Sequence, residues 1–362
     1  MMRAAVYRAP GDVRVEKIPE PEPGPGEVLI KVGAAGICGS DAAEYAQPRM
    51  IRVNRDGTPD AVVLGHEFAG LVADLGPGVP RDLLGQPVAC GAGISCGRCA
   101  NCAGGRTNLC LSYHTIGFHR DGGMAEYVTA PASICVPVAD HGLSMHTAAL
   151  AQPMAIAVHA RRRGRVRAGD VVLIIGAGGI GSFLICACVA AGAEVWVADI
   201  AGDRLVLAHG LGAARVIDSR TAGPADVLAD AGVRADVIFE VSGSAPGLES
   251  AFNAAHPGVR IVAVGVQKRP YEGRLSEWTL GEYDVLGTVA HVCAQDLPAA
   301  IELLATGDAA TWSTLAPMVF PLDDLVEKGL IPLGAGRPGQ IKTLFDPAAT
   351  AARPAGHGEK AR

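Results

Sequence analysis

Aromatic residues are scarce in this chain. Phe 7, Tyr 6 and Trp 3 amount to 4% of 362 residues, so Ala, Val, Leu and Ile must build the core. A basic surplus is also missing. Lys and Arg number 31 against 37 Asp and Glu, a net charge of -6, which excludes nucleic acid and anionic membranes as electrostatic partners. The one basic cluster, Arg161, Arg162, Arg163, Arg165 and Arg167, falls on one short segment and reads as a solvated helix end and loop. The opening residues contain no apolar stretch of signal-peptide length. A single uncharged run, Val171 to Ala193, is long enough to cross a membrane. Its β-branched start and its Gly-Ala-Gly-Gly break argue against a span, so a cytoplasmic location is expected. Internal repeats are absent, and Gly 47 and Pro 24 follow no collagen period. What remains is 49% hydrophobic and 19% charged, enough for two or three globular domains.

Three textures divide the chain. Residues 1–153 carry short β-like runs cut by Gly and Pro, such as Glu27–Val32, Ala61–Leu64 and Glu126–Val128. Residues 154–290 alternate buried apolar runs with Ala-rich helical stretches. Val171–Ile175, Glu194–Ala198, Ala214–Ile217, Asp236–Val241 and Arg260–Val264 read as strands of a parallel sheet covered on both faces, a doubly wound α/β domain. Residues 291–347 return to mixed structure, with a helix over Leu297–Leu304 and a strand over Gln340–Phe345. The tail 348–362 is poor in large apolar residues and is expected to be disordered.

The strand Val171–Ile175 runs into Gly176-Ala-Gly178-Gly179-Ile180-Gly181 and an Ala-rich helix. Gly176 permits the turn, Gly178 lets the backbone approach a pyrophosphate, and Gly181 lets helix and strand pack closely. Free N–H groups of Gly179 and Ile180 at the helix start favour the phosphates. Asp199, ending the next strand, can accept from a ribose 2′-hydroxyl and repel a 2′-phosphate, which favours NAD over NADP. Arg204 could flank the adenosine.

Cysteine, at 10 residues, is plentiful for a chain without a signal peptide. Cys96, Cys99, Cys102 and Cys110 have the spacing of a closed four-thiolate lobe at about residues 90–112, with zinc favoured over iron–sulfur. Cys90, Cys135, Cys186, Cys188 and Cys293 read as small buried hydrophobes. Cys38, His66 and Glu67 are three further ligand types, each a weak signal alone.

Taken together, Cys38-Gly-Ser-Asp41, Gly65-His-Glu67, the four-cysteine lobe, Asp121-Gly-Gly-x-Ala-Glu-Tyr127, Pro153-Met-Ala-x-Ala-x-His159 and Gly176–Gly181 resemble the zinc-dependent medium-chain dehydrogenase/reductase family. The likeness is greatest to its sorbitol and butanediol dehydrogenase branch. It implies a β-rich GroES-like catalytic domain formed by both ends of the chain, and a Rossmann nucleotide domain between them. It also implies two zinc ions per chain: a structural one in the lobe, and a catalytic one held by Cys38, His66 and Glu67. Ser40 matches the family hydroxyl that passes the alcohol proton onward. The implied reaction is hydride transfer from a secondary alcohol, a diol, polyol or cyclitol, to NAD, in a homotetramer or homodimer. Two alternatives are a ketone or aldehyde reductase working mainly in reverse, and a zinc-stabilised NAD sensor without turnover.

Two positions depart from the family. Gln152 stands where the branch has Glu. Its amide oxygen could ligate zinc or accept from a water there, and it removes one negative charge. Ala43 replaces a His that relays the proton, leaving Glu44, a water chain, His114, His119 or His291 as substitutes. Ser40, Tyr45, Phe118 and His291 are the candidate pocket residues.

Overall fold

The computed structural model describes residues 1–51, 60–267, 269–273 and 275–357. It divides into two compact units, Met1–Ala155 with His291–Arg362, and Ile156–Ala290.

The first unit begins with β1 (Met2–Ala9), β2 (Asp12–Ile18), β3 (Glu27–Gly36), α1 (Gly39–Ala46), β4 (Val62–Val63), β5 (Glu67–Leu75) and β6 (Pro87–Cys90). Nearly continuous burial along β3, and buried residues through the first half of β5, place these central strands in the core. A small lobe follows, with β7 (Gly93–Ile94), α2 (Ala100–Ala103) and β8 (His114–Thr115). The chain then forms β9 (Tyr127–Pro131), β10 (Cys135–Pro137), α3 (Met145–Ala148) and α4 (Ala151–Arg163), within which the second unit starts.

The second unit is a six-stranded parallel sheet. Its elements are β11 (Val171–Ile175), α5 (Gly179–Ala190), β12 (Glu194–Asp199), α6 (Gly202–Gly210), β13 (Arg215–Asp218), α7 (Pro224–Asp230), β14 (Val237–Glu240), α8 (Ala245–Asn253), β15 (Arg260–Ala263), α9 (Leu275–Gly281) and β16 (Asp284–Gly287). The strand order β13-β12-β11-β14-β15-β16 reverses direction of winding at β11, as a doubly wound fold requires. Leu173, Trp196, Ile238 and Ile261 sit in its core. The sixth strand escapes sequence reading because Asp284 and Val285 are exposed at the sheet edge.

The chain returns with α10 (Cys293–Thr306), α11 (Ala309–Leu315), β17 (Met318–Pro321), α12 (Ile331–Gly334), β18 (Leu344–Asp346) and β19 (Arg353–Pro354). The larger sheet of the first unit runs β10-β6-β5-β3-β18-β17-β19, with β9 also on β3. Both ends of the chain therefore build one sheet. Tyr7, Ile30, Leu64, Phe68, Ile116 and Phe345 fill its core.

Two expectations change here. The strand expected over Gln340–Phe345 is confined to Leu344–Asp346, because Lys342 is drawn away to an ion pair. The tail expected to be disordered is ordered through His357. β19 pairs with β17, the Gly356 N–H donates to His146 Nδ1 at 2.8 Å, and His357 is buried. Backbone pairing replaces the apolar bulk this segment lacks. Residues 358–362 lie outside the described residues. No described helix is long and apolar enough to cross a membrane.

Candidate metal centre and dinucleotide site

Cys38 is the N-cap of α1, where the chain leaves β3, and His66 and Glu67 stand at the start of β5. The β3–β5 register sets Gly36 opposite Glu67, so the two strand ends converge. The ligand atoms of Cys38, His66 and Glu67 all lie within 4.8 Å of one another. His66 and Glu67 are buried, and Cys38 is half-buried.

Asp41, 1% exposed, organises this corner. Its Oδ2 accepts from the Cys38 backbone N–H at 2.8 Å, and its Oδ1 faces His66 Nδ1 at 3.4 Å. That leaves His66 Nε2 directed elsewhere, 3.5 Å from Ser40 Oγ. Burial opposes a charge on His66, but Asp41 and Cys38 outweigh it and hold the imidazole well above its ordinary pKa. A metal arriving here displaces that proton.

Sequence reading missed Lys342. Its Nζ donates to Glu67 Oε1 at 2.7 Å, Glu67 Oε2 at 2.5 Å and the Ile37 carbonyl at 3.0 Å. Burial works against the charge on Lys342, yet Glu67 and Cys38 more than restore it. The only signal in the sequence is one cation inside the apolar stretch Ile341–Phe345. Gly36 leaves the necessary room, since a Cβ there would sit 2.6 Å from Glu67 Oε2.

Gln152 lies in the first turn of α4, 6% exposed, and its Oε1 accepts no hydrogen bond among the described residues. A buried amide oxygen without a donor is costly, and a cation or water relieves that cost. A thiolate, an imidazole and a carboxylate converging at one point, with an orphaned amide oxygen in the same unit, fit zinc.

The other candidates are placed less usefully. Phe118 packs on His66, ring centroids 5.0 Å apart. Tyr45 instead donates to the Gly11 carbonyl, and His291 to the Gly91 carbonyl. Glu44, a possible relay replacing the family His, is committed elsewhere. Its buried carboxylate accepts from the N–H groups of Arg49, Met50 and Ile51.

In the lobe, the sulfurs of Cys96, Cys99, Cys102 and Cys110 also lie within 4.8 Å of one another. Backbone N–H groups point at them, from Cys96 and Ser112 to Cys110 Sγ at 3.2 and 3.3 Å. N–H groups of Leu111 and Cys102 bring the Cys99 thiol down to about 6, while burial pushes Cys102 up to about 11. Four crowded sulfurs wrapped by backbone donors suit a closed tetrahedral ion.

The second unit carries the glycine turn. Gly176 has φ 103°, and a Cβ on it would meet the Ser242 backbone at 2.9 Å. A Cβ on Gly181 would lie 2.0 Å from the Gly176 carbonyl oxygen, so only glycine lets α5 start this close to β11. Gly178 caps α5, and Gly179 and Ile180 open it with their N–H groups. Asp199 is buried at the end of β12, accepting from Ala177 N–H at 2.7 Å and Ala201 N–H at 2.9 Å. Its remaining lone pairs and its charge stay beside the turn. Arg204 reaches the same place, 3.8 Å from a Cβ built on Gly178.

Residues 24–140 match the family model of the alcohol dehydrogenase GroES-like domain, and residues 179–306 that of zinc-binding dehydrogenases. An L-threonine 3-dehydrogenase of Chelativorans sp. is 36% identical over 75% of this chain and 79% of its own. The 2R,3R-butanediol dehydrogenase of Bacillus subtilis has a crystal structure similar at TM-score 0.86, with 30% identity over 96% of this chain and 100% of that one. A zinc-binding dehydrogenase structure from Sinorhizobium meliloti, bound to NADP, gives TM-score 0.85 and 29% identity over 96% and 99%.

Proposed function

The chain belongs to the zinc-dependent medium-chain alcohol dehydrogenase family, and on that premise we propose that it moves hydride between a secondary alcohol and NAD, giving the ketone. The observation that carries this reading is the convergence of Cys38, His66 and Glu67 ligand atoms within 4.8 Å. Cys38, His66 and Glu67 would hold a catalytic zinc, with Gln152 Oε1 as a fourth donor, and the four-cysteine lobe would hold a structural one. Zinc at the first site supplies a Lewis acid toward the substrate oxygen. Asp41 fixes the His66 ring, and Lys342 fixes the Glu67 carboxylate. Ser40 Oγ takes the alcohol proton; with Ala43 unable to relay and Glu44 occupied, water carries it to solvent. The Asp199 carboxylate favours a free 2′-hydroxyl, hence NAD. A secondary alcohol as substrate is supported by the butanediol and threonine enzymes among the similar proteins.

Elemental analysis of dialysed protein and NADH absorbance with 2,3-butanediol, L-threonine and sorbitol test the proposal. Two zinc ions per chain and turnover with at least one secondary alcohol are expected. One zinc per chain with no turnover overturns it. Gln152→Glu restores a negative donor and is expected to retain the catalytic zinc about 10-fold more tightly against a chelator. Unchanged retention would remove Gln152 from the ligand set.

A further inference from the structure

Three thiols gather in the first unit outside both clusters. Cys90 ends β6, Cys135 begins β10, and Cys293 begins α10. The strand register sets Cys90 opposite Cys135. The Gly91 N–H donates to the Ile134 carbonyl at 2.8 Å, and the Val138 N–H to the Pro87 carbonyl at 2.9 Å. These are two hydrogen-bonded pairs of the ladder. Strict alternation between them makes Cys90 and Cys135 a non-hydrogen-bonded pair, whose Cα atoms lie about 4.5 Å apart. A disulfide spans Cα separations of about 4.4–6.8 Å, and directly opposed side chains leave the sheet on one face. The facing Cys90 thiol, and after it burial, raises the pKa of the Cys135 thiol, whose Sγ donates to the Pro131 carbonyl at 3.5 Å. Cys293 packs alongside, its Sγ 3.8 Å from the Ile134 carbonyl oxygen.

We propose that Cys90 and Cys135 form a reversible disulfide site, closed by hydrogen peroxide and reopened by small thiols. Cys135 is the sulfur that peroxide meets. It is 8% exposed against 1% for Cys90, and it lies on a three-residue strand at the edge of the sheet. Short edge strands open locally at less cost than interior ones. The Cys135 sulfur attacks one peroxide oxygen, the O–O bond breaks, and a sulfenic acid and one water result. The Cys90 sulfur then displaces that hydroxyl, which leaves with the Cys90 proton as a second water, and the S–S bond forms. Two thiols give up two electrons and two protons, and peroxide becomes two waters. The Cys135 thiol, raised by Cys90 and by burial, stays protonated in the closed strand pair, so opening of β10 limits the rate.

The bond encloses residues 91–134, and with them the whole four-cysteine lobe. It ties β6, the strand that leads into the lobe, to its edge neighbour β10. Zinc-loaded, full-length protein treated with peroxide and then alkylated, with the disulfides mapped by tandem mass spectrometry, provides the test. A Cys90–Cys135 bond that dithiothreitol reverses is expected, with zinc release to a chelator slowed at least about threefold in the oxidised form. Cys135→Ala is expected to abolish the bond and Cys293→Ala to preserve it; if Cys135→Ala does not fold, Cys90→Ala serves. The proposal is overturned if Cys135 remains alkylatable, if it bonds Cys293 instead, or if oxidation is confined to the lobe with loss of zinc. None of these readouts requires turnover, so failure here is distinguishable from failure of the dehydrogenase reading.

Discussion

Glu67 is fully buried, and its charge is matched by one lysine, itself 5% exposed. Removing one partner of a buried pair leaves an uncompensated charge, at a cost of about 3–5 kcal/mol. Lys342→Met should therefore lose that much stability to urea, and Glu67→Gln with Lys342→Met should recover most of it. A loss below about 1 kcal/mol in the single variant would mean that Glu67 does not depend on this cation. Cys38, His66 and Glu67 were legible because residue type and local motif carry them. Lys342 was not, because 275 residues separate it from its partner, and no local pattern reports a contact of that range. Asp41 was visible only as part of a motif; its grip on His66 needed coordinates.

At the scale of elements, β11, β12 and β14 were legible because fully buried parallel strands read as continuous apolar runs. β16 and β19 were not. Each lies at a sheet edge, where backbone pairing, not apolar content, defines the strand. The close start of α5 on β11 makes Gly181→Ala a sharp test. Its Cβ would meet the Gly176 carbonyl oxygen, so the helix must move, costing about 1–3 kcal/mol. The dinucleotide Kd should rise about tenfold in a fluorescence titration.

The tail element supplies a pH test. His357 Nε2 donates to the Ala316 carbonyl at 2.8 Å, and Nδ1 accepts from Thr147 Oγ1 at 3.0 Å. Both ring nitrogens are thus used by the neutral form. Burial lowers the pKa of His357, with the Ala316 carbonyl partly opposing. Below the unfolded value of about 6.5 the unfolded tail binds the proton more readily than the docked one. Docking is therefore favoured above that pH and weakens as pH falls through it toward the lower folded value. Protection of the amides of residues 346–357 against hydrogen exchange, taken relative to the intrinsic rate at each pH, should fall from about pH 7 to pH 5. His357→Asn should flatten that fall.

At the scale of the whole molecule, the two units differ in how the chain enters them. The second is a single continuous stretch, Ile156–Ala290, with its own sheet and core. A fragment of residues 151–290, keeping α4 intact, is expected to melt cooperatively and to bind NADH. A broad, non-cooperative transition by circular dichroism would count against its autonomy.

The first unit has no such independence, because β18 pairs with β3 near the other end of the chain. This has a consequence in time. During synthesis Cys38, His66 and Glu67 leave the ribosome long before Lys342. At about 5–20 residues per second the delay is on the order of tens of seconds. For that interval the nascent metal centre carries Glu67 without its counter-cation. Order of emergence thus makes this buried corner one of the last parts of the first unit to be completed.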